Sequence, residues 1–300
     1  MESPHRRNTP ELNRRQFLKG ASFGAGGVLL VTVCPTSTSA EPVPVIAALA
    51  QRSEERSRQT PPWVGAWEWL SDSYEGRPTL TETHFCYAFA QKDRQVPSGA
   101  IPSEAEAAAL FRSFGGGAAG TLIAEQAGDE WLLEYVTHVD AWPANVGRRT
   151  QWAFSVQGDR MYGQVIGAGE TRSPEPPFSY SRLSKPGSSP IAGAWKLISE
   201  EWVGLMVMTD TEYRYIMTRK DRLSVTARVN ELSDADLATL YHSFDAQCGR
   251  HTVSGSNLLR QPVVVKDPRD KGREISIEFE IDGEELTTRR GQRELFWRKA

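Results

Sequence analysis

Gly65-Ala66-Trp67 and Lys92-Asp93-Arg94 return as Gly193-Ala194-Trp195 and Lys220-Asp221-Arg222, each 128 residues later (195 − 67; 220 − 92). Tyr87 meets Tyr215 at the same offset. One such match is chance; several in one register are a duplication. The offset drifts to 130 where Ser103, Leu110 and Phe114 face Ser233, Leu240 and Phe244. It falls to 125 where Pro143, Gly147, Arg148 and Phe154 face Pro268, Gly272, Arg273 and Phe279. Small drifts are what insertions in the loops between matched strands leave behind. Two copies of one unit follow, at residues 63–184 and 191–300, joined by the Pro-, Gly- and Ser-rich linker 185–190. Function is therefore sought where the copies differ.

Within each copy the pattern is that of short strands. His84-Phe85-Cys86-Tyr87-Ala88-Phe89-Ala90 carries rings at every second position, so Phe85, Tyr87 and Phe89 share one face; Tyr213, Tyr215 and Met217 do the same in the second copy. One short helix interrupts each copy. Ser103 with Glu106, and Ser233 with Asp236, have the spacing of capping boxes, and apolar residues follow at helical intervals. Many strands, one helix and about 115–120 residues per copy point to an all-β chain of two tandem closed antiparallel barrels. Closure removes exposed sheet edges, and a unit of that size can bury its own core.

The whole chain of 300 residues carries a net charge of −3. Without residues 1–40, which hold five Lys/Arg and two Asp/Glu, the balance is 30 − 36 = −6. A mildly acidic body without a basic stripe argues against nucleic acid or an anionic membrane surface as partner.

Asn13-Arg14-Arg15-Gln16-Phe17-Leu18-Lys19 resembles the twin-arginine (Tat) export motif, departing from it at Asn13. Residues 20–33 are Gly- and Ala-rich, too short and too polar to span a bilayer stably, and no stable membrane insertion is expected of the chain after signal cleavage. Small residues at Thr38-Ser39-Ala40, or alternatively at Ala48-Leu49-Ala50, offer a cleavage site; Val33 ahead of Cys34 argues against lipidation. The resemblance implies a signal peptide over 1–40, a flexible lead-in over 41–62, the Tat translocon as partner during export, and a periplasmic or secreted location. A mature chain would keep Cys86 and Cys248. Their positions in the two copies are not equivalent, so they either join the repeats after export or stay as buried free thiols.

Gly-x-Trp opening each copy, with Arg182 and Arg298 near the end of each, is similar to the lipocalin and calycin superfamily. Gly120-Thr121, Thr137-His138, Pro143 to Gly147 and Gly158-Asp159-Arg160 look more narrowly like the bacterial and fungal lipocalin-like domain family. The resemblance implies that Trp67 and Trp195 close the barrel floors and that Arg182 and Arg298 pack across them, a structural role. It also implies a cup for a small hydrophobic molecule. Tyr87, His84, Phe89, Trp142 and Tyr215 are the candidate ligand-binding residues. The Lys-Asp-Arg segments read as solvated strand ends.

No metal-ligand spacing, phosphate-binding glycine loop or serine-nucleophile elbow is present, so no cofactor or metal is expected. The copies differ at His138 and Asp140, which strict strand alternation puts on one face and which Val263 and Val265 replace in the second copy, and at Glu82 and His84, which face Asp210 and Glu212. Two readings stand. An imidazole beside a carboxylate in an apolar cup could move protons, as a cofactor-independent hydratase, isomerase or cyclase acting on a terpenoid, carotenoid or polyketide would need. Alternatively, His138 sits at a rim and Asp140 caps the next turn, leaving a carrier of a small hydrophobic molecule, or a structural protein with filled barrels.

Overall fold

Alternating large and small residues in sixteen short segments let each half of the chain wrap a sheet around its own aromatic interior. A computed structural model describes residues 60–166 and 177–300. The export motif, the cleavage sites and nearly all of the lead-in lie outside the described residues. The first barrel closes in the order β1 (Gly65–Trp69), β2 (Tyr74–Leu80), β3 (His84–Gln91), β4 (Gly116–Ala127), β5 (Glu130–Asp140), β6 (Arg149–Gln157), β7 (Arg160–Ile166) and β8 (Phe178–Ser184). The second repeats it with β9 (Gly193–Ile198), β10 (Trp202–Met208), β11 (Glu212–Arg219), β12 (Phe244–Ser254), β13 (Asn257–Val265), β14 (Ile275–Asp282), β15 (Glu285–Arg290) and β16 (Arg293–Lys299). All strand pairs are antiparallel, so the chain is two closed eight-stranded barrels in tandem, as the duplication and alternation lead one to expect. Helix α1 (Glu104–Ser113) follows β3 and α2 (Asp234–His242) follows β11. Both open with a capping box, from Ser103 and Glu106 and from Ser233 and Asp236, which satisfies backbone donors the first turn leaves unpaired.

The floors are built alike but not from the same cation. Trp67 Nε1 donates to the Trp63 carbonyl at 2.9 Å and Trp195 Nε1 to the Ile191 carbonyl at 2.8 Å. Arg182 lies 4.0 Å over the Trp67 ring and donates to the Val64 carbonyl at 3.0 Å. In the second barrel Lys299, not Arg298, lies over the Trp195 ring, at 4.3 Å, and donates to the Ala192 carbonyl. Arg298 is exposed and pairs with Glu285 at 3.0 Å. Strand periodicity explains the difference. Tyr180 and Arg182 are two residues apart and both point inward, so the position matching Arg182 is two residues beyond the inward Trp297.

The outer faces of β2–β5 pack against those of β10–β13, and the two helices pack against each other. One apolar core spans this seam: Phe244 meets Phe111 at 5.8 Å and Phe114 at 5.3 Å between ring centres. Cys86 and Cys248 are both buried in this seam as free thiols. Within it Glu212 is nearly inaccessible and lies 3.1 Å from both Arg77 and Arg214.

The lysines and aspartates of the Lys-Asp-Arg segments are exposed, and Asp221 pairs locally with Arg219 at 2.9 Å, but the two arginines are not solvated. Arg94 donates to Ser113 Oγ at 3.0 Å and the Leu110 carbonyl at 3.1 Å in its own barrel, then crosses to the Val265 and Lys266 carbonyls of the other. Arg222, its repeat mate, crosses in the opposite sense to the Ala141 carbonyl at 3.4 Å. The pair forms a reciprocal clamp across the pseudo-symmetric seam. Charge alone hides this, because a guanidinium reaching another domain's carbonyls has the same sequence signature as one in water.

Candidate functional site

The interior of barrel 1 holds a cavity of about 130 Å³. Its walls are rings and aliphatic groups from alternate strand positions, among them Phe85, Phe89, Trp152, Phe154 and Phe178. These rings brace one another: Phe85 and Tyr135 meet edge-on at 4.7 Å, and Trp152 stacks on Phe154 at 5.8 Å. Tyr87, Tyr135 and Tyr180 also line it. Burial pushes all three phenols well above the usual tyrosine range, so they stay neutral and present hydroxyls. The polar end is one stretch of chain, where Asp140 closes β5 and Asn145 and Arg148 lead into β6.

A β-bulge decides what that stretch presents. Ala119 pairs with Val139, but Gly120 pairs with Thr137, so His138 is an extra residue on β5. A side chain at Gly120 would put its Cβ 1.9 Å from the Val136 carbonyl oxygen, which is why glycine stands there. Before the bulge Tyr135 and Thr137 face the cavity; after it Asp140 does, and His138 is left exposed outside. The imidazole and the carboxylate therefore do not share a face. The outer His138 is within 3.0 Å of Thr121 Oγ1, and half-buried His84 is within 2.9 Å of Thr83 Oγ1. Both histidines lie on the outer surface of the barrel wall, and neither lines the cavity. Trp142 is buried at the seam against Phe111, with ring centres 6.1 Å apart, and Tyr215 lies inside barrel 2. Of the candidate ligand-binding residues, Tyr87 and Phe89 are the two on the cavity wall.

Asp140 is 4% exposed. Its Oδ1 accepts from the Trp142 backbone N–H at 2.7 Å and its Oδ2 from Asn145 Nδ2 at 3.2 Å. It thus caps the following turn and borders the cavity at once. Burial raises its carboxyl to about 7 despite those two donors and the guanidinium charges of Arg222 and Arg148. At neutral pH it is poised between acceptor and donor.

Barrel 2 fills the corresponding space with its own side chains. Arg260 takes the place of Tyr135 and lies 4.6 Å over the Tyr213 ring and 5.6 Å from that of Tyr215, with Nη2 3.3 Å from Met206 Sδ. Gln247, where barrel 1 has Ala118, accepts from the Tyr213 hydroxyl at 2.6 Å. The same bulge recurs between Cys248 and Gly249, but it turns Val265 inward in place of Asp140. Barrel 1 is hollow with a polar end, and its copy sets larger side chains at the corresponding positions.

Sequence reasoning did not single out Tyr135, Tyr180, Asn145 and Arg148. Alternation from Leu133 would have found Tyr135; the others needed the register of the closed sheet. No family model matches the chain, and no curated protein matches it. Among solved structures the chain is similar to an uncharacterized protein of Saccharomyces cerevisiae, at 12% identity and a TM-score of 0.45, over 78% of this chain and 96% of that one. It also aligns with a DNA polymerase sliding clamp of Pseudomonas aeruginosa, at 5% identity and a TM-score of 0.13, over 80% of this chain and 58% of that one. These likenesses are too slight to carry a functional argument.

Proposed function

We propose that the protein binds one small, largely apolar molecule inside barrel 1, in the manner of a lipocalin-like carrier, with barrel 2 as a filled structural partner. The observation that supports this is the contrast between two copies of one fold. The 130 Å³ cavity of barrel 1 is left open where Arg260, Gln247 and Met206 occupy its duplicate. An interior that can be plugged in one copy and is not in the other is maintained at a cost in packing, as a ligand site requires. The volume is close to that of an engineered cavity of about 150 Å³ that takes up benzene, so a molecule of one or two rings fits. In this proposal the twin-arginine motif directs the folded carrier across the cytoplasmic membrane, and the ligand is met in the periplasm or outside the cell.

Native mass spectrometry of the purified chain tests the proposal, with calorimetric titration of phenylpropanol beside it. Wild type is expected to bind the probe or to carry an equivalent molecule. Val165→Phe, which places a ring in the cavity, is expected to weaken binding by about tenfold or more. Equal binding by both proteins would put the ligand elsewhere. Asp140 favours a second reading, acid–base chemistry on the bound molecule, with the aspartate and not His138 as the proton carrier. Asp140→Asn separates the two: a carrier returns the same ligand mass from both proteins, whereas an enzyme accumulates unconverted substrate in the variant.

A further inference from the structure

The duplication supplies its own control for the polar end of the cavity. Arg148 of barrel 1 corresponds to Arg273 of barrel 2, and Asn145 to Asp270. In barrel 2 the arginine is solvated and has a counter-charge, Arg273 Nη1 standing 3.7 Å from Asp270 Oδ1. In barrel 1 that carboxylate is replaced by a neutral amide. Arg148 is half-buried and borders the cavity. Its side chain makes no hydrogen bond or ion pair with any described residue, and its resolved electrostatic partner is Asp140. Asp140 does not neutralise it. Both carboxyl oxygens are already engaged, by Trp142 N–H and by Asn145, and Arg222 from the other barrel shares the same carboxylate. Two guanidiniums thus face one carboxyl that burial keeps only partly ionised. The remaining groups at this end, the hydroxyls of Tyr87, Thr137 and Thr150, can all donate. Asn145 Oδ1 is buried without a partner.

From this we infer, building on the reading of barrel 1 as a ligand site, that the ligand is a small ring-bearing carboxylic acid whose carboxylate replaces the missing counter-charge on Arg148. The ring lies among Phe85, Trp152, Phe154 and Phe178, and the carboxylate sits at the Asn145–Arg148 turn. A planar guanidinium meets a carboxylate through two parallel N–H bonds, a geometry that neither an alcohol nor an amine reproduces. An amine would face the excess positive charge of Arg148 and Arg222.

Calorimetric titration of the full chain with phenylpropanoate, phenylpropanol and phenylpropylamine tests the inference, because the three share one ring and spacer. The carboxylate is expected to bind about ten- to a hundredfold tighter than the alcohol, and the amine weakest. Arg148→Gln is expected to abolish that preference while leaving alcohol affinity within about twofold, and Arg148→Lys to keep part of it. A melting curve for each variant confirms that the fold is retained. Equal affinity for acid and alcohol, or an unchanged preference in Arg148→Gln, would overturn the carboxylate assignment and leave the cavity reading standing. Failure of all three probes to bind a chain that native mass spectrometry shows to be free of any carried molecule would overturn both.

Discussion

Replacing Asp140 with asparagine should change how stability depends on pH, by an amount the structure sets. Buried against the cavity, the carboxyl is raised to about 7 from an ordinary 3.8. A carboxylate raised in the fold takes up its proton earlier there than in the unfolded chain. Its contribution is therefore fully present below the unfolded value and is lost as pH climbs through the folded one. At roughly 1.4 kcal/mol per pH unit, that gap is worth about 4 kcal/mol. Asparagine cannot ionise, yet its carbonyl still accepts from the Trp142 N–H. Urea unfolding of wild type and Asp140→Asn at a series of pH values from about 4 to about 8 reads the difference directly. Other titrating groups, such as Asp210 and Glu106, are common to both proteins and cancel. Wild type is expected to lose about 4 kcal/mol relative to the variant over that range, most of it between pH about 4 and about 7. Parallel stability curves would refute the reasoning, because they would mean that water or a closer cation keeps the carboxylate charged at no cost.

Three further outcomes follow from named contacts. Arg94→Met removes the crossing bonds to Val265 and Lys266 and leaves those carbonyls unpaired at the seam, so denaturant unfolding should show a loss of roughly 2–4 kcal/mol. Gly120→Ala forces the bulge apart and should cost more than about 3 kcal/mol or prevent folding, whereas the same change at Gly128, where no heavy atom lies within 4 Å of the added Cβ, strains only a turn. His138→Ala should leave stability within about 0.5 kcal/mol and probe affinity unchanged, since the side chain is exposed and outside the cavity; weakened binding would place the histidine in the site.

Much of the architecture is legible in the sequence. The repeated Gly-x-Trp and Lys-Asp-Arg segments reveal two copies, period-two rings reveal strands, and paired capping boxes fix both helices, because local chemistry dictates each of these. The asymmetry at His138 and Asp140 is visible in the sequence. What it cannot reveal is which of the two faces the cavity. A single bulge shifts the side-chain phase by one residue, and it accompanies a close backbone approach of Gly120 to Val136 on the paired strand, which the side-chain pattern of β5 does not record. For the same reason Arg298 was the natural choice by proximity to Trp297, while register gives the place over Trp195 to Lys299.

The residues alone determined that an ancestral strand-rich unit was copied and that each copy closes on an aromatic interior, since periodicity and spacing are properties of neighbouring positions. Only the folded arrangement decided that the interior of barrel 1 is hollow, that Asp140 and Arg148 both border it, and that Arg94 and Arg222 lock the copies together. Those outcomes depend on long-range packing, where a few ångströms of backbone approach select one of several arrangements that the local pattern permits equally.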